Sequence, residues 1–134
     1  MTLRVSGHAN KRKRLFIVDD EATMLRTLAR ALGREYHVAT LTSPEEALRH
    51  LTSGESWDII LSDVMMPVMN GVEFARRLAQ ARPDLAGRIV LMTGGAFTPM
   101  ARTALERSGL PVIAKPFELD ALRALLATIS SGQP

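Results

Sequence analysis

The sequence contains no cysteine, few aromatic residues and no long apolar run, and each of these absences excludes a class of function. Without cysteine the chain can form no disulfide and use no thiolate chemistry, which fits a reducing compartment such as the cytoplasm. No apolar stretch reaches the length of about 18 residues that a transmembrane helix needs, and no signal-peptide core is present. The 134 residues are therefore expected to form one cytoplasmic domain without membrane contact.

Acidic residues are also absent from the N-terminal 14 positions, which contain five basic side chains. Because the whole chain carries +3, residues 15–134 carry −2, and the high pI of 9.9 belongs to this N-terminal part. We expect residues 1–13 to be a flexible basic leader, and we expect no nucleic acid partner, because no aromatic side chain interleaves with the basic run. A nucleic acid tether would show salt-dependent DNA retention that is lost when residues 1–14 are deleted.

Four short apolar runs each end in a polar residue of a type that phosphoryl chemistry uses. The runs and the residues after them are Leu15–Val18 with Asp19 and Asp20, Ile59–Ser62 with Asp63, Ile89–Met92 with Thr93, and Pro111–Ala114 with Lys115. Near-continuous apolar runs of this length, separated by helical stretches, predict parallel strands that are buried on both faces. Because parallel strands end at one edge of a sheet, three acids, a hydroxyl and an ammonium group are expected to share one pocket.

Helix signals alternate with these runs. Predicted helices cover residues 21–32, 44 to before Gly54, 71–81, 98–107 and 119–129, and a further strand covers residues 36–40. Ser43 and Asn70 are of the types that cap the start of a helix, and each is followed three residues later by Glu. Gly33 and Gly109 stand just after a predicted helix, where glycine is common.

The strand-helix order, repeated five times, predicts the fold class. It is typical of an α/β domain with a flavodoxin-like, doubly wound (βα)5 architecture and right-handed crossovers. The five-stranded parallel sheet is expected to have the order 2-1-3-4-5. The domain is predicted to span residues 14–130, which leaves residues 131–134 as a short tail.

The predicted pocket has the side chains that a phosphoryl-transfer site needs. Clustered carboxylates of Asp19, Asp20 and Asp63 repel one another unless their pKa values rise or a cation binds, and an oxygen-only set with room for water suits Mg²⁺. Lys115 can supply a second positive charge to a phosphoryl oxygen, and the Thr93 hydroxyl can hydrogen-bond the same group. The remaining carboxylate can then act as a nucleophile that forms an aspartyl phosphate.

Taken one at a time, the same residues have simpler explanations. Asp19 and Asp20 could only cap the following helix, because carboxylates favour the positive end of a helix dipole. Asp63 and Thr93 could be turn residues, and Lys115 could be a solvated side chain before proline. Together these explanations require four unrelated coincidences at matched spacing, so we prefer the shared site.

The order and spacing of these motifs resemble the receiver domain of two-component response regulators. The residues that carry the resemblance are the pair Asp19-Asp20, the segment Asp63-Val64-Met65-Met66-Pro67, Gly71, Thr93 and the pair Lys115-Pro116. Counted from Asp63, the second acid of the pair lies 43 residues earlier, and the hydroxyl and the lysine lie 30 and 52 residues later. These intervals agree with the layout of the family, and the resemblance covers roughly residues 14–130.

The resemblance implies phosphorylation of Asp63. This residue would accept a phosphoryl group from the phosphohistidine of a histidine kinase or a histidine phosphotransfer protein, followed by slow self-dephosphorylation. Asp19, Asp20 and Asp63 would bind Mg²⁺ together with the backbone carbonyl of Met65. Such a domain is a self-phosphorylating and self-dephosphorylating switch rather than an enzyme with turnover, and it could form part of a hybrid histidine kinase.

The resemblance also implies roles around the phosphoryl group. Lys115 would bind it, Thr93 would shift toward it, and the Lys115-Pro116 peptide bond would be cis. Many receivers have Tyr or Phe three residues before the lysine, where this chain has Val112, so no aromatic ring can swing inward there. We therefore hypothesise that signalling relies on Thr93 and its loop, or on phosphotransfer itself. Closely similar free and beryllofluoride-bound structures of the last two strand-helix units would support this hypothesis, and a large rearrangement there would count against it.

Two details of the resemblance concern the wider protein, and two alternatives to it stay open. The stretch Leu91–Phe97 resembles receivers at the C terminus of hybrid sensor kinases, and such domains often form homodimers through their last two helices. A first alternative is a non-phosphorylated docking module, which would normally have lost an acid or the lysine. A metal-dependent phosphatase with an aspartate nucleophile ranks last, because the haloacid-dehalogenase type has Asp-x-Asp where this chain has Asp19-Asp20-Glu21.

Overall fold

The computed structural model describes residues 12–95 and 98–130, in which five strands and five α-helices alternate along the chain. The strands are β1 (Lys13–Val18), β2 (Tyr36–Leu41), β3 (Ile59–Asp63), β4 (Ile89–Thr93) and β5 (Val112–Ala114). The helices are α1 (Ala22–Leu32), α2 (Pro44–Leu51), α3 (Gly71–Ala81), α4 (Pro99–Ser108) and α5 (Leu119–Ser130). A 3₁₀ helix, Pro83–Arg88, leads into β4.

The strands form one parallel sheet in the order β2-β1-β3-β4-β5. This confirms the predicted flavodoxin-like order 2-1-3-4-5. The chain moves from β1 outward to β2 and then crosses to β3 on the other side of β1. Such a reversal opens a crevice at the carboxyl ends of β1 and β3, where doubly wound sheets bind their ligands.

Apolar side chains pack into two cores, one on each face of the sheet. Phe16 and Ile60 point to the face covered by α2 and α3, whereas Leu15 and Ile17 point to the face covered by α1 and α5. All of β3 is buried, as its continuous apolar run predicted. No helix within the described ranges is long and apolar enough to cross a membrane.

The helices begin at the predicted capping residues. The Ser43 and Asn70 side chains each accept a hydrogen bond from the backbone N–H three residues later, at 3.2 and 2.9 Å. Gly109 ends α4 with a φ of 68°, a left-handed conformation that favours glycine. Gly33 follows α1 as predicted, but its φ is −67°, so the chain continues the right-handed turn instead of ending in a left-handed cap.

The first strand begins at Lys13, inside the segment of residues 1–13 that was predicted to be a flexible basic leader. Lys13 belongs to β1 because its backbone pairs with Tyr36 of β2. Arg12 also contacts the folded domain, since its Nη1 donates a hydrogen bond of 2.6 Å to the carbonyl of Gly33. Residues 1–11 and the predicted tail at residues 131–134 lie outside the described residues.

Two further segments differ from the prediction. No sequence signal predicted the 3₁₀ helix before β4. Leu85 of this 3₁₀ helix is buried in the core on the face of the sheet that α3 covers. In α5 the helical spacing of apolar residues predicts that Leu119, Leu122, Leu125, Leu126 and Ile129 are buried, and of these Leu122 and Leu126 are fully buried. Leu119 is 37% exposed, because it is the first residue of the helix and lies beyond the edge of the core.

Candidate functional site

The carboxyl ends of four neighbouring strands carry the predicted site residues. Asp19 follows β1, Asp63 ends β3, Thr93 ends β4 and Lys115 follows β5. The parallel register places these ends side by side. The structure thereby brings together side chains as far apart in sequence as Asp19 and Lys115, which are separated by 96 positions.

The Lys115 ammonium group bridges two of the carboxylates. Its Nζ lies 3.2 Å from Oδ2 of Asp19 and 3.1 Å from Oδ1 of Asp63. The Lys115 backbone is held at the same place, because its N–H donates a 2.7 Å hydrogen bond to the carbonyl of Thr93. A strand-to-strand hydrogen bond therefore fixes the base of the side chain, and two charge-assisted contacts fix its tip.

Three carboxylates converge beside this lysine. Each of Asp19, Asp20 and Asp63 offers an oxygen, and these oxygens lie within 4.8 Å of one another. Asp19 is fully buried, and its Oδ1 accepts a 2.9 Å hydrogen bond from the backbone N–H of Glu21. Asp20 is exposed, so the cluster opens to solvent on one side.

The acidic cluster lies in an open cleft of about 610 Å³. The cleft is lined by Asp20, Glu21, Met24, Asp63, Met65, Gly94, Gly95, Lys115 and Pro116. Met65 is 55% exposed at this cleft, whereas its two neighbours in the chain, Val64 and Met66, are buried. The cleft has room for a phosphate-sized group beside the carboxylates.

The hydroxyl of Thr93 is a buried polar group without a partner in the described part of the chain. An unpaired buried hydroxyl costs on the order of 1–3 kcal/mol, so such groups are rare in folded proteins. The backbone carbonyl of Thr93 is occupied by Lys115, but its Oγ1 stays available. A ligand at this edge of the sheet can therefore gain a hydrogen bond that the free domain does not make.

This arrangement of acids, lysine and hydroxyl agrees with the match to a known family. Residues 15–127 match the response regulator receiver domain. The chain belongs to this family. Receiver domains bind Mg²⁺ in an acidic pocket and work with histidine kinases or phosphotransfer proteins in two-component signalling.

Individual relatives of this receiver domain differ in total length. The chain is 33% identical over 108 residues to the response regulator receiver protein CpdR of Brucella abortus, which covers 80% of this chain and 88% of CpdR. It is 31% identical over 122 residues to the transcriptional regulatory protein FixJ of Bradyrhizobium diazoefficiens, covering 90% of this chain but only 58% of FixJ. The signal receiver domain of a histidine kinase from Syntrophus aciditrophicus is 29% identical with a TM-score of 0.79, over 90% of this chain and 91% of that one.

Burial and a neighbouring like charge raise the pKa of Asp63 in this receiver domain. Desolvation is the largest cause, the Asp19 carboxylate adds to it, and the hydrogen bond with Lys115 opposes both. Burial lowers the pKa of Lys115, but the hydrogen bond to Asp63 and the nearby carboxylates outweigh it, so the pKa of the lysine is raised. The lysine is charged at neutral pH, while the negative charge on Asp63 is destabilised and favours the approach of a further cation.

The donor set fits Mg²⁺ on its own chemistry. All three side chains supply oxygen, which a hard divalent cation prefers, and they are few enough to leave coordination positions for water. One cation beside Lys115 would offset the repulsion within the cluster. Asp19, Asp20 and Asp63 are therefore the residues that could hold the metal.

The loop between β3 and α3 returns directly over Asp63 and requires glycine at residue 71. The Gly71 N–H donates a 2.9 Å hydrogen bond to the carbonyl of Val64. A Cβ at Gly71 would collide with the backbone carbonyl of Asp63 and lie 2.9 Å from Cα of Val64. Gly71 is therefore required by packing, because only a residue without a side chain lets α3 begin directly against the end of β3.

The same loop contains a strained residue that no sequence signal indicated. Val68 has a φ of 73°, a left-handed conformation that is costly for a β-branched side chain, and it is 91% exposed. Asn or Gly would have marked such a position, but valine does not.

Two expectations based on the receiver resemblance can be compared with the structure. The Lys115-Pro116 peptide bond is cis, which confirms the expectation. Val112 is 38% exposed on β5 at the edge of the sheet, where many receivers have an aromatic ring. The likeness of Leu91–Phe97 to receivers of hybrid sensor kinases stays a prediction, because residues 96 and 97 lie outside the described residues.

Proposed function

We propose that this receiver domain accepts a phosphoryl group on Asp63 from a phosphohistidine donor and acts as a switch in a two-component phosphorelay. The observation that carries the proposal is the position of Lys115, whose ammonium group contacts both Asp19 and Asp63 at 3.1–3.2 Å inside a cleft open to solvent. The cleft gives a donor imidazole access to the Asp63 carboxylate. The Lys115 ammonium group already lies within reach of the oxygens of a phosphoryl group on Asp63.

The chemical step forms one bond and breaks another. An oxygen of the Asp63 carboxylate attacks phosphorus, an O–P bond forms, and the N–P bond of the donor breaks with its electron pair left on the imidazole. Lys115 binds a phosphoryl oxygen, and the unpaired Thr93 hydroxyl donates a hydrogen bond to another. Mg²⁺ held by Asp19, Asp20, Asp63 and the carbonyl of Met65 would neutralise charge on the transferring group. Water then attacks phosphorus, the O–P bond to Asp63 breaks, inorganic phosphate leaves, and the domain returns slowly to its first state.

The test is intact-mass analysis of the full chain after incubation with acetyl phosphate, with and without Mg²⁺. We expect one added phosphate that is stable in acid, labile in base, dependent on Mg²⁺ and absent from Asp63→Asn. Asp120→Asn is the matched control, because Asp120 is an exposed acid on α5 outside the cleft. No phosphate on the wild type, together with no Mg²⁺ binding in a titration, would support the docking-module alternative instead.

The partners and setting belong to the same proposal. A histidine kinase or a histidine phosphotransfer protein supplies the phosphoryl group. We place this reaction in the cytoplasm, a reducing compartment in which a chain without cysteine needs no disulfide to fold. A homodimer through α4 and α5 is supported by the lack of any buried residue in α4 and by the exposure of Met100, Val112 and Leu119 along this face. Light scattering of the wild type and of Met100→Glu tests it, since the charged side chain should reduce the mass of the assembly to that of one chain.

A further inference from the structure

A basic surface lies at the edge of the sheet opposite the aspartate cleft. Arg12 and Lys13 form its first part, at the start of β1. Arg12 is fixed against the turn between α1 and β2, where Nη1 donates to the carbonyl of Gly33 at 2.6 Å and Nη2 lies 3.4 Å from Nδ1 of His37. The end of the basic run in the sequence is thus part of the folded surface.

Helix α1 and the turn after it supply the second part. Arg26, Arg30 and Arg34 follow one another at intervals of four residues, and all three are exposed. A rise of 1.5 Å per residue gives this line a length of about 12 Å. Within residues 12–95 and 98–130, neither Arg30 nor Arg34 forms an ion pair, and Arg26 contacts only the hydroxyl of Thr23.

Stabilisation of the α1 helix dipole explains only one of these five basic residues. A basic residue in the last turn of a helix stabilises the negative end of its dipole, which covers Arg30. It does not explain Arg26 in the middle of α1 or the two basic residues at the start of β1. Glu35, the acid that follows Arg34 in the sequence, is paired with Arg123 at 3.0 Å, so its charge is already offset within the domain.

Contrary to the expectation from the sequence alone that nucleic acid is no partner, we propose that this basic surface, defined by Arg12, Lys13, Arg26, Arg30 and Arg34, binds the phosphate backbone of duplex nucleic acid. Guanidinium groups present planar forks that match phosphate oxygens. The N-terminal residues that precede Arg12 add two more basic side chains and no acid. The surface is therefore positive over both a helix face and a strand end, although the domain as a whole is nearly balanced in charge.

Composition favours a duplex over other polyanions. The large exposed apolar residues within the described ranges are Met65, Val68, Met100, Val112 and Leu119, and none of them belongs to this surface. A protein interface would need an apolar centre, and a membrane-bound surface is strengthened by apolar side chains that enter the lipid. Tyr36, the aromatic residue that pairs with Lys13, is buried, so among the described residues this surface offers no Tyr, Phe or Trp ring to stack on single-stranded bases.

The test is fluorescence anisotropy of a short labelled DNA duplex titrated with the full chain between about 50 and 200 mM salt. For the wild type we expect log Kobs to fall linearly with log salt, with a slope of about −0.9 for each phosphate contacted. The double variant Arg30→Gln/Arg34→Gln should reduce the steepness of the slope by about 2 and weaken binding at the lowest salt at least about tenfold. A chain truncated to begin at residue 12 should show the same difference, because β1 is kept intact.

Arg49→Gln/Arg77→Gln is the matched control, since these arginines are exposed on α2 and α3, away from the proposed dimer face, and the change in net charge is the same. This variant should bind the duplex as the wild type does. Equal losses in the two double variants, no duplex binding by the wild type at low salt, or tighter binding to single strands would each overturn the proposal. Binding to phosphatidylserine vesicles without binding to the duplex would overturn it as well and assign the surface to lipid. Because the aspartate cleft lies at the other edge of the sheet, phosphorylation of Asp63 should be unchanged in both double variants.

Discussion

Removal of the charge on Asp63 should stabilise the free domain, although the residue is the proposed phosphoacceptor. In the metal-free state this carboxylate lies within 4.8 Å of two others. Two unit charges at that distance repel by about 3 kcal/mol at an effective dielectric constant of about 20, so the two neighbours together cost about 7 kcal/mol. The attraction between the Lys115 ammonium group and Asp63 at 3.1 Å offsets about 5 kcal/mol of this repulsion at the same dielectric constant.

The balance predicts a measurable gain for Asp63→Asn. Solvent screens the repulsion from the exposed Asp20, but the desolvation of the buried Asp63 carboxylate, the largest cause of its raised pKa, adds to the cost of its charge, so we expect the free energy of unfolding in EDTA to rise by about 1–2 kcal/mol, or about 3–8 °C in Tm. The sign follows from the pKa, because a carboxyl whose pKa is raised by folding destabilises the folded state once it is ionised. The difference between variant and wild type should therefore vanish in acid and grow as the pH rises from 3.8, the ordinary pKa of the carboxyl, through the higher pKa of Asp63 in the folded domain.

Mg²⁺ should reverse this order of stability. A ligand that binds only the folded state at a hundred times its Kd stabilises by about 2.7 kcal/mol, and Asp63→Asn removes one of the proposed metal ligands. The assay is thermal unfolding followed by circular dichroism, with EDTA or with Mg²⁺, beside Asp120→Asn as a control for the loss of one acid. A variant that is less stable than the wild type in EDTA, or that gains as much from Mg²⁺, would refute the electrostatic reasoning.

Three further outcomes are expected. Gly71→Ala should destabilise the fold by more than about 3 kcal/mol in urea unfolding, because its Cβ would meet the Asp63 carbonyl, whereas Gly87→Ala should change stability little because nothing lies within 4 Å of the added carbon. Val68→Gly should raise stability by about 0.5–1 kcal/mol, as relief of the left-handed strain exceeds the added chain entropy, and an unchanged Tm would contradict this. Lys115→Gln should lower the rate of phosphorylation by acetyl phosphate. In EDTA it should also destabilise the domain by about 3 kcal/mol, because it leaves two buried carboxylates without their cation. Unchanged stability in EDTA would count against the bridging contact.

Local pattern was sufficient to predict the architecture. Continuous apolar runs such as Ile59–Ser62 favour burial on both faces, and their alternation with helix signals predicts a parallel sheet between two helical layers. Ser43 and Asn70 marked helix starts because a capping side chain acts on a backbone group three residues away. The convergence of the acids and the lysine was predictable for the same reason, since strands of one direction end at one edge.

Backbone detail was less predictable, because it depends on what surrounds a residue. Val68 adopts a left-handed conformation that valine disfavours, so the closure of the loop over β3 determines it rather than the residue itself. Gly33 could have ended α1 with a left-handed turn, yet its φ of −67° keeps the right-handed course. The 3₁₀ helix before β4 likewise follows from the burial of Leu85 rather than from any periodic pattern.

The sequence by itself determined the order of strands and helices, the edge at which the polar residues gather and the family to which the chain belongs, because each depends on residue type and spacing along the chain. The tertiary structure decided which charges act together. It placed Lys115 between Asp19 and Asp63, left the Thr93 hydroxyl without a partner among the described residues and set Arg12 against the turn after α1. These are contacts between distant segments, and their energies depend on distances and burial that exist only once the chain has folded.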